Sequence, residues 1–167
     1  PVAGEGVFVI VGWDATSHGI ANRLIRIDDG SMTWATKSYD RYLHLLQKSD
    51  ETVYFGTSDD EYGAQGETLF AIQASNGDQR WTVEAGDTTD AILVDDTLYI
   101  VEGSSRTTAL AVNDGSELWH KVMRPASDDL RVFDDTMYLV AEEQNENGNY
   151  PVVAVNATDG SERWRFS

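Results

Sequence analysis

Three histidines, one acidic run and one isolated tryptophan are the residues of this chain whose types and spacing could do chemistry. His18, His44 and His120 are scattered, and neither a Ser-His-Asp order nor a histidine cluster with metal-ligand spacing assembles from them. Ser58-Asp59-Asp60-Glu61-Tyr62 offers the hard oxygen ligands that calcium takes, although on so acidic a chain the same letters read as solvated carboxylates. Glu143, Asn145, Asn147 and Gly148 follow the first half of a calcium loop. No Asp opens that pattern, and Ala154 stands where a bidentate Glu is required, so a polar hairpin loop explains it as well. Trp13, with His18 close by, offers a stacking platform for a sugar or a partner's side chain, or else caps the end of a strand. No catalytic residue and no cofactor is assigned, calcium being the one ion with candidate ligands.

Composition narrows the partners. Among 167 residues, 29 acids face 12 bases, for a net charge of -17. The bases include only three lysines, Lys37, Lys48 and Lys121. With 41% hydrophobic residues in regularly placed runs, this is a folded chain and not a disordered one. An Asp-rich, Lys-poor surface of this kind reads as halophilic: charges interact over roughly 10 Å at about 0.1 M salt but only about 3 Å near 1 M, so self-repulsion fades in brine. Nucleic acid and anionic lipid both need basic counter-charge and are excluded as main partners. The absence of cysteine removes disulfides, thiol nucleophiles and thiolate metal sites. No apolar run approaches the roughly 20 residues of a membrane-spanning helix. The first residue is Pro1, which fits a removed signal peptide or a chosen boundary, and an extracellular or cell-surface location is expected.

The elements that must position these residues are written in a repeat. Glycine is followed four residues later by tryptophan at Gly30/Trp34, Gly77/Trp81, Gly115/Trp119 and Gly160/Trp164. The aligned segments are LIRIDDGSMTW, AIQASNGDQRW, ALAVNDGSELW and AVNATDGSERW. Before each stands an apolar run with a central aromatic, Phe8, Tyr54, Tyr99 or Tyr138. A period of roughly 40 to 50 residues with several short apolar runs per unit is the signature of propeller blades. The fold expected is all-β, a single propeller segment with blades over about 1–37, 38–85, 86–123 and 124–167. In the third blade the four strands A to D start near Asp90, Thr97, Thr108 and Glu117. Asp-Gly and Asn-Gly supply positive φ for the C-to-D turns.

Strand parity sends the A-to-B and C-to-D turns to one face and the B-to-C and D-to-A connections to the other. Variation in repeat length falls on the second face, where binding usually sits. Its candidate loops are Trp13 to Ala21, Ser58 to Glu67, Glu102 to Thr107 and Glu142 to Tyr150. The candidate binding residues are Trp13, His18, Asp59, Asp60, Tyr62, Glu143, Asn145, Asn147 and Tyr150. The chain is expected to start inside its first blade and stop after strand D of its fourth, as part of a larger ring or as a half that pairs with a second copy.

The repeat resembles the pyrroloquinoline-quinone-type (PQQ-like) β-propellers. Their tryptophan-docking motif carries Ala at its first place, Gly at the seventh and Trp at the eleventh. Ala71, Gly77 and Trp81, Ala109, Gly115 and Trp119, and Ala154, Gly160 and Trp164 match it; the first copy departs by placing Leu24 where Ala is expected. The resemblance implies a propeller of four-stranded antiparallel blades, four of them here, a partial or half ring. Quinone-dependent dehydrogenases of the family use an adjacent cysteine pair, a calcium site and a catalytic Asp on eight blades. This chain has no cysteine, which favours the family's non-catalytic members, such as the propeller lipoprotein of bacterial outer-membrane assembly. The leading expectation is a non-enzymatic scaffold that binds a protein partner or a second copy. The alternatives are a dehydrogenase fragment and a cell-surface carbohydrate module using Trp13, Tyr39, Tyr62 and Tyr150.

Overall fold

The computed structural model describes residues 6–15, 19–58, 67–103, 106–125, 130–141 and 144–166. Every regular element among them is a strand, and every strand pairing is antiparallel. The first sheet is β1 (Val7–Ala15), β2 (Gly19–Asp28) and β3 (Ser31–Ala35) in that order. The second is β4 (Tyr42–Lys48), β5 (Thr52–Ser58), β6 (Glu67–Gln73) and β7 (Gln79–Ala85). The third is β8 (Thr88–Val94), β9 (Thr97–Glu102), β10 (Arg106–Ala111) and β11 (Glu117–Lys121). In the fourth, β12 (Met123–Pro125) and β13 (Val132–Phe133) both pair with β14 (Thr136–Ala141), which continues to β15 (Val152–Asn156) and β16 (Glu162–Phe166). The strand A expected for the first repeat falls in residues 1–5, outside the described residues. These are the sheets of a propeller segment, and they fall into two compact units, Pro1–Ala85 and Gly86–Ser167.

One cross-strand row recurs and explains the repeat. Tyr54, Ala71 and Trp81 stand side by side across β5, β6 and β7, as do Tyr99, Ala109 and Trp119, and Tyr138, Ala154 and Trp164, in their own sheets. In each row the two rings lean together over the alanine, with centroids 5.8, 5.9 and 5.9 Å apart. A larger central side chain would part them, and all three alanines are fully buried. The residue after each alanine begins a register shift, the bulge that gives strand D its bend.

The first repeat corrects the ungapped alignment. Its row is Phe8, Arg26 and Trp34, so Arg26, not Leu24, occupies the alanine's place. The cause is turn length. In the other repeats the C-to-D turn is closed by Gly77, Gly115 and Gly160 donating to the carbonyls of Gln73, Ala111 and Asn156 at 2.8–2.9 Å. In the first it is the tight pair Asp29-Gly30, both with positive φ (50° and 75°), between Asp28 and Ser31. Losing turn residues shifts the strand by one pleat period, which keeps the same face inward. Arg26 tolerates the position because its guanidinium lies over Phe8 at 5.7 Å, pairs with Asp28 at 2.8 Å and donates to the Ala74 carbonyl at 2.6 Å.

Candidate interaction surfaces

Within each unit the tryptophan of one sheet is seated on the glycine turn of the next. Trp34 Nε1 donates to the Ala74 carbonyl at 3.0 Å, and its ring closes over Gly77 so tightly that a β-carbon there would come to 2.8 Å. Trp119 repeats the arrangement, donating to Ala157 at 2.7 Å and covering Gly160 with the same clearance of 2.8 Å. Tyr99 adds a second donor to the Ala157 carbonyl at 3.0 Å. The glycines therefore serve twice, supplying positive φ for the turn and a bare surface for the indole. Around these seats lie the two cores: Leu24, Trp34, Val53, Phe55, Phe70, Ile72 and Ala74 in the first unit, and Tyr99, Val101, Trp119, Met137, Leu139, Val153 and Val155 in the second.

Trp81 is also buried, whereas Trp164 is 48% exposed. Its row partner Tyr138 is 40% exposed, and Phe133 and Phe166 on the same face are exposed too.

The connections at the two ends of each sheet differ. At one end the A-to-B and C-to-D links are short, as at Asp95-Asp96 and Asp134-Asp135, where aspartates take positive φ. At the other end the B-to-C connections are 16–18, 59–66, 103–105 and 142–151. Three candidate loops are thus shorter than the sequence suggested: Trp13 lies in β1 with its backbone opposite Ala21 in β2, Ser58 ends β5 and Glu67 opens β6, and Glu102, Arg106 and Thr107 are strand residues. The Trp13 side chain and residues His18, Asp59, Asp60, Tyr62 and Glu143 lie outside the described residues.

Asn145, Asn147 and Tyr150 can be placed, in the β14–β15 connection. Asn145 Oδ1 accepts from the amides of Asn147 and Asn149, both at 3.0 Å, while Gly148 at φ 78° donates to the Asn145 carbonyl at 2.9 Å. Asn145 therefore holds the loop's own backbone, a role the calcium-like spacing had disguised. Tyr150 is exposed beside it. Tyr39, in contrast, is no surface platform. Its ring meets Phe70 and Phe55 edge-on at 5.2 and 5.8 Å, and burial raises its phenol pKa above the ordinary value. Among the described residues, no group of three or more His, Asp or Glu side chains is placed to hold a metal ion.

One polar contact escaped the sequence. His44 on β4 is opposite Gly56 on β5, and its Nε2 meets the carboxylate of Glu67, which opens β6 and is completely buried. Gly56 leaves the room that this pair fills, since a β-carbon there would collide with both side chains. A glycine inside an otherwise apolar strand was the available signal of such a close approach. On the third sheet, Arg106 bridges Glu102 at 3.1 Å and Glu117 at 2.9 Å, and His120 pairs with Glu117 at 2.7 Å. Hydrogen bonding from His120, then the nearby positive charge, lowers the Glu117 pKa. Arg106 on β10 thereby ties β9 to β11, while the His120–Glu117 pair lies within β11.

A family model described as the outer membrane protein assembly factor BamB matches residues 1–146 and 67–167. The chain belongs to this family of PQQ-like propellers. No curated protein matches it. Among solved structures, BamB from Moraxella catarrhalis is similar with a TM-score of 0.62 and 15% identity, over 96% of this chain and 52% of that one. A europium-containing methanol dehydrogenase gives 0.55 and 13%, over 98% and 40%. The quinohemoprotein alcohol dehydrogenase ADHIIG from Pseudomonas putida HK5 gives 0.56 and 13%, over 97% and 33%. This PQQ-like chain spans about half the length of the BamB structure it matches. No helix among its described residues is long and apolar enough to cross a membrane.

Proposed function

We propose that the chain is a non-enzymatic scaffold of an extracytoplasmic, halophilic protein, and that it binds a protein partner through the end of its sheets that carries 16–18, 59–66, 103–105 and 142–151. The observation behind this is the length of 59–66 and 142–151, which exceed every turn at the opposite end and differ from the three-residue connections 16–18 and 103–105. A scaffold whose strands and turns are fixed by packing is free to vary only where it does not pack, and such segments are where recognition is built. Similarity to BamB, a protein assembly factor by its name, supports the reading. Likeness to two dehydrogenases keeps a quinone-dependent fragment as the rival, against which stands the lack of cysteine.

The test is site-specific photo-crosslinking in the source cells, with the probe at Asn147 or Tyr150 and, as control, at Asp95 or Asp134 in the opposite turns. A polypeptide adduct from the first pair alone is expected; adducts from the turns alone, or from neither, contradict the proposal. Adding pyrroloquinoline quinone with calcium should leave the absorbance spectrum additive, and a bound-quinone shift would transfer the case to the dehydrogenase reading. For the halophilic part, circular dichroism should show a higher melting temperature in about 2 M than in about 0.1 M KCl, because the carboxylates of a -17 chain are then screened. Equal melting in both would remove it.

A further inference from the structure

The tripeptide Asp-Gly-Ser occurs three times, at Asp29-Gly30-Ser31, Asp114-Gly115-Ser116 and Asp159-Gly160-Ser161, each time in the turn between the last two strands of a sheet. An aspartate before glycine can close on itself, because the nitrogen of a residue without a side chain reaches the carboxyl carbon unobstructed. The letters are the same and all three aspartates are exposed, so neither intrinsic reactivity nor access separates them. Hydrogen bonding does. Gly115 donates its amide to the Ala111 carbonyl at 2.9 Å and Gly160 to that of Asn156 at 2.8 Å, which holds both nitrogens away from the aspartate. The carboxylates are tied as well: Asp114 accepts from the Ser116 amide at 2.9 Å and Asp159 from the Ser161 amide at 2.8 Å. Hydrogen bonding from the side chain and then the amide of these serines holds both carboxyls below the ordinary aspartate pKa. In the two-residue turn of the first sheet, Ser31 is committed instead to the ladder opposite Asp28. Among the described residues, neither the Asp29 carboxylate nor the Gly30 amide has a hydrogen-bond partner.

We propose that Asp29 is a site of spontaneous isoaspartate formation, and that hydrogen bonding in the other two turns confines the reaction to this copy of the tripeptide. The Gly30 nitrogen attacks Cγ of the protonated Asp29 side chain. The amide proton and the carboxyl hydroxyl leave as water, and a five-membered cyclic imide forms. Water then opens the ring. Cleaving the bond from nitrogen to Cγ restores aspartate, whereas cleaving the bond from nitrogen to the main-chain carbonyl carbon leaves Gly30 attached through Cγ and frees the Asp29 α-carboxylate. One water is lost and one gained, no other reactant is consumed, and the mass of the chain is unchanged. The product carries one extra methylene in the main chain of a turn whose two residues set Asp28 opposite Ser31, and through that pair the row that places Trp34 beside Arg26. An isomerised turn no longer holds this register, so the seat of Trp34 on the Ala74 carbonyl and Gly77 loosens with it.

The experiment is to hold the folded 167-residue chain, and the same chain in urea, at mildly acidic pH and to digest samples over time. The isoaspartyl form of each of the three peptides is then quantified by chromatography and by methylation with an isoaspartyl-specific carboxyl methyltransferase. In the folded chain isoaspartate should build up at Asp29 at least about 10-fold faster than at Asp114 or Asp159, where a pair of hydrogen bonds must open before the ring can close. In urea the three rates should converge, because the same tripeptide then reacts without a fold around it. Equal rates in the folded chain, or faster reaction at Asp114 or Asp159, overturn the proposal. So does a lead for Asp29 that persists unchanged in urea, which would assign it to flanking residues and not to the turns. The isomerised chain, separated from the parent, should unfold at a lower urea concentration, and equal midpoints would overturn the effect assigned to it on Trp34.

Discussion

Truncating Trp119 to alanine is expected to lower the unfolding free energy by about 3–5 kcal/mol, the range for deleting a large aromatic from a core. The indole is 8% exposed, touches Tyr99, fills the space above Gly160 and donates to Ala157 at 2.7 Å. Removing it opens a cavity under a turn that cannot collapse, since Gly160 is held at φ 68° by its bond to Asn156. The Ala157 carbonyl keeps the Tyr99 hydroxyl, which moderates the polar part of the loss. Trp164→Ala is the matched control: the same residue type in the same row, but half exposed. Under dilute conditions its cost should be below about 1 kcal/mol, as for substitutions at the surface. Urea denaturation of both variants measures the difference, and equal losses would mean that the seat contributes nothing.

Gly56→Ala carries the second large effect. The new methyl group would fall on the Glu67 carboxylate and the His44 ring, in a strand where every residue from Thr52 to Ser58 is buried. Neither side chain can move aside without breaking the contact between the imidazole and the buried carboxylate, and breaking a buried polar contact costs about 1–3 kcal/mol. Glu67→Ala should cost a similar amount for the same reason. The double variant tests the geometry, because deleting the carboxylate makes room for the methyl. Its loss should fall well short of the sum, a coupling expected for groups in direct contact. Additive losses in thermal or urea unfolding would show that the collision is not what makes Gly56 necessary.

The fold was legible because its determinants are local and repeated. Glycine at Gly77, Gly115 and Gly160 announces the positive φ that the turns adopt, and alanine at Ala71, Ala109 and Ala154 announces the narrow space between two rings. What was hidden lay in pairings that a repeat does not encode. The first sheet's register depended on a turn shortened to Asp29-Gly30, and an ungapped alignment anchored on Trp34 could not see that Arg26 had moved into the alanine's place. His44 and Glu67 meet through two strand pairings, at positions with no counterpart in the other repeats. The candidate binding residues were harder still, since a loop's letters do not say whether a polar atom faces a ligand or its own backbone. Asn145 shows the second outcome.

Trp34 and Trp119 are locked by their N–H and ring onto the glycine turn of the adjoining sheet, and hydrogen exchange at the indole nitrogens tests this most directly. In dilute solution, Trp34 and Trp119 should exchange only through unfolding or sub-global opening, far more slowly than an open indole, while the exposed Trp164 exchanges freely. If Trp34 and Trp119 exchange as fast as Trp164, the indoles are not seated and the packing described here is wrong.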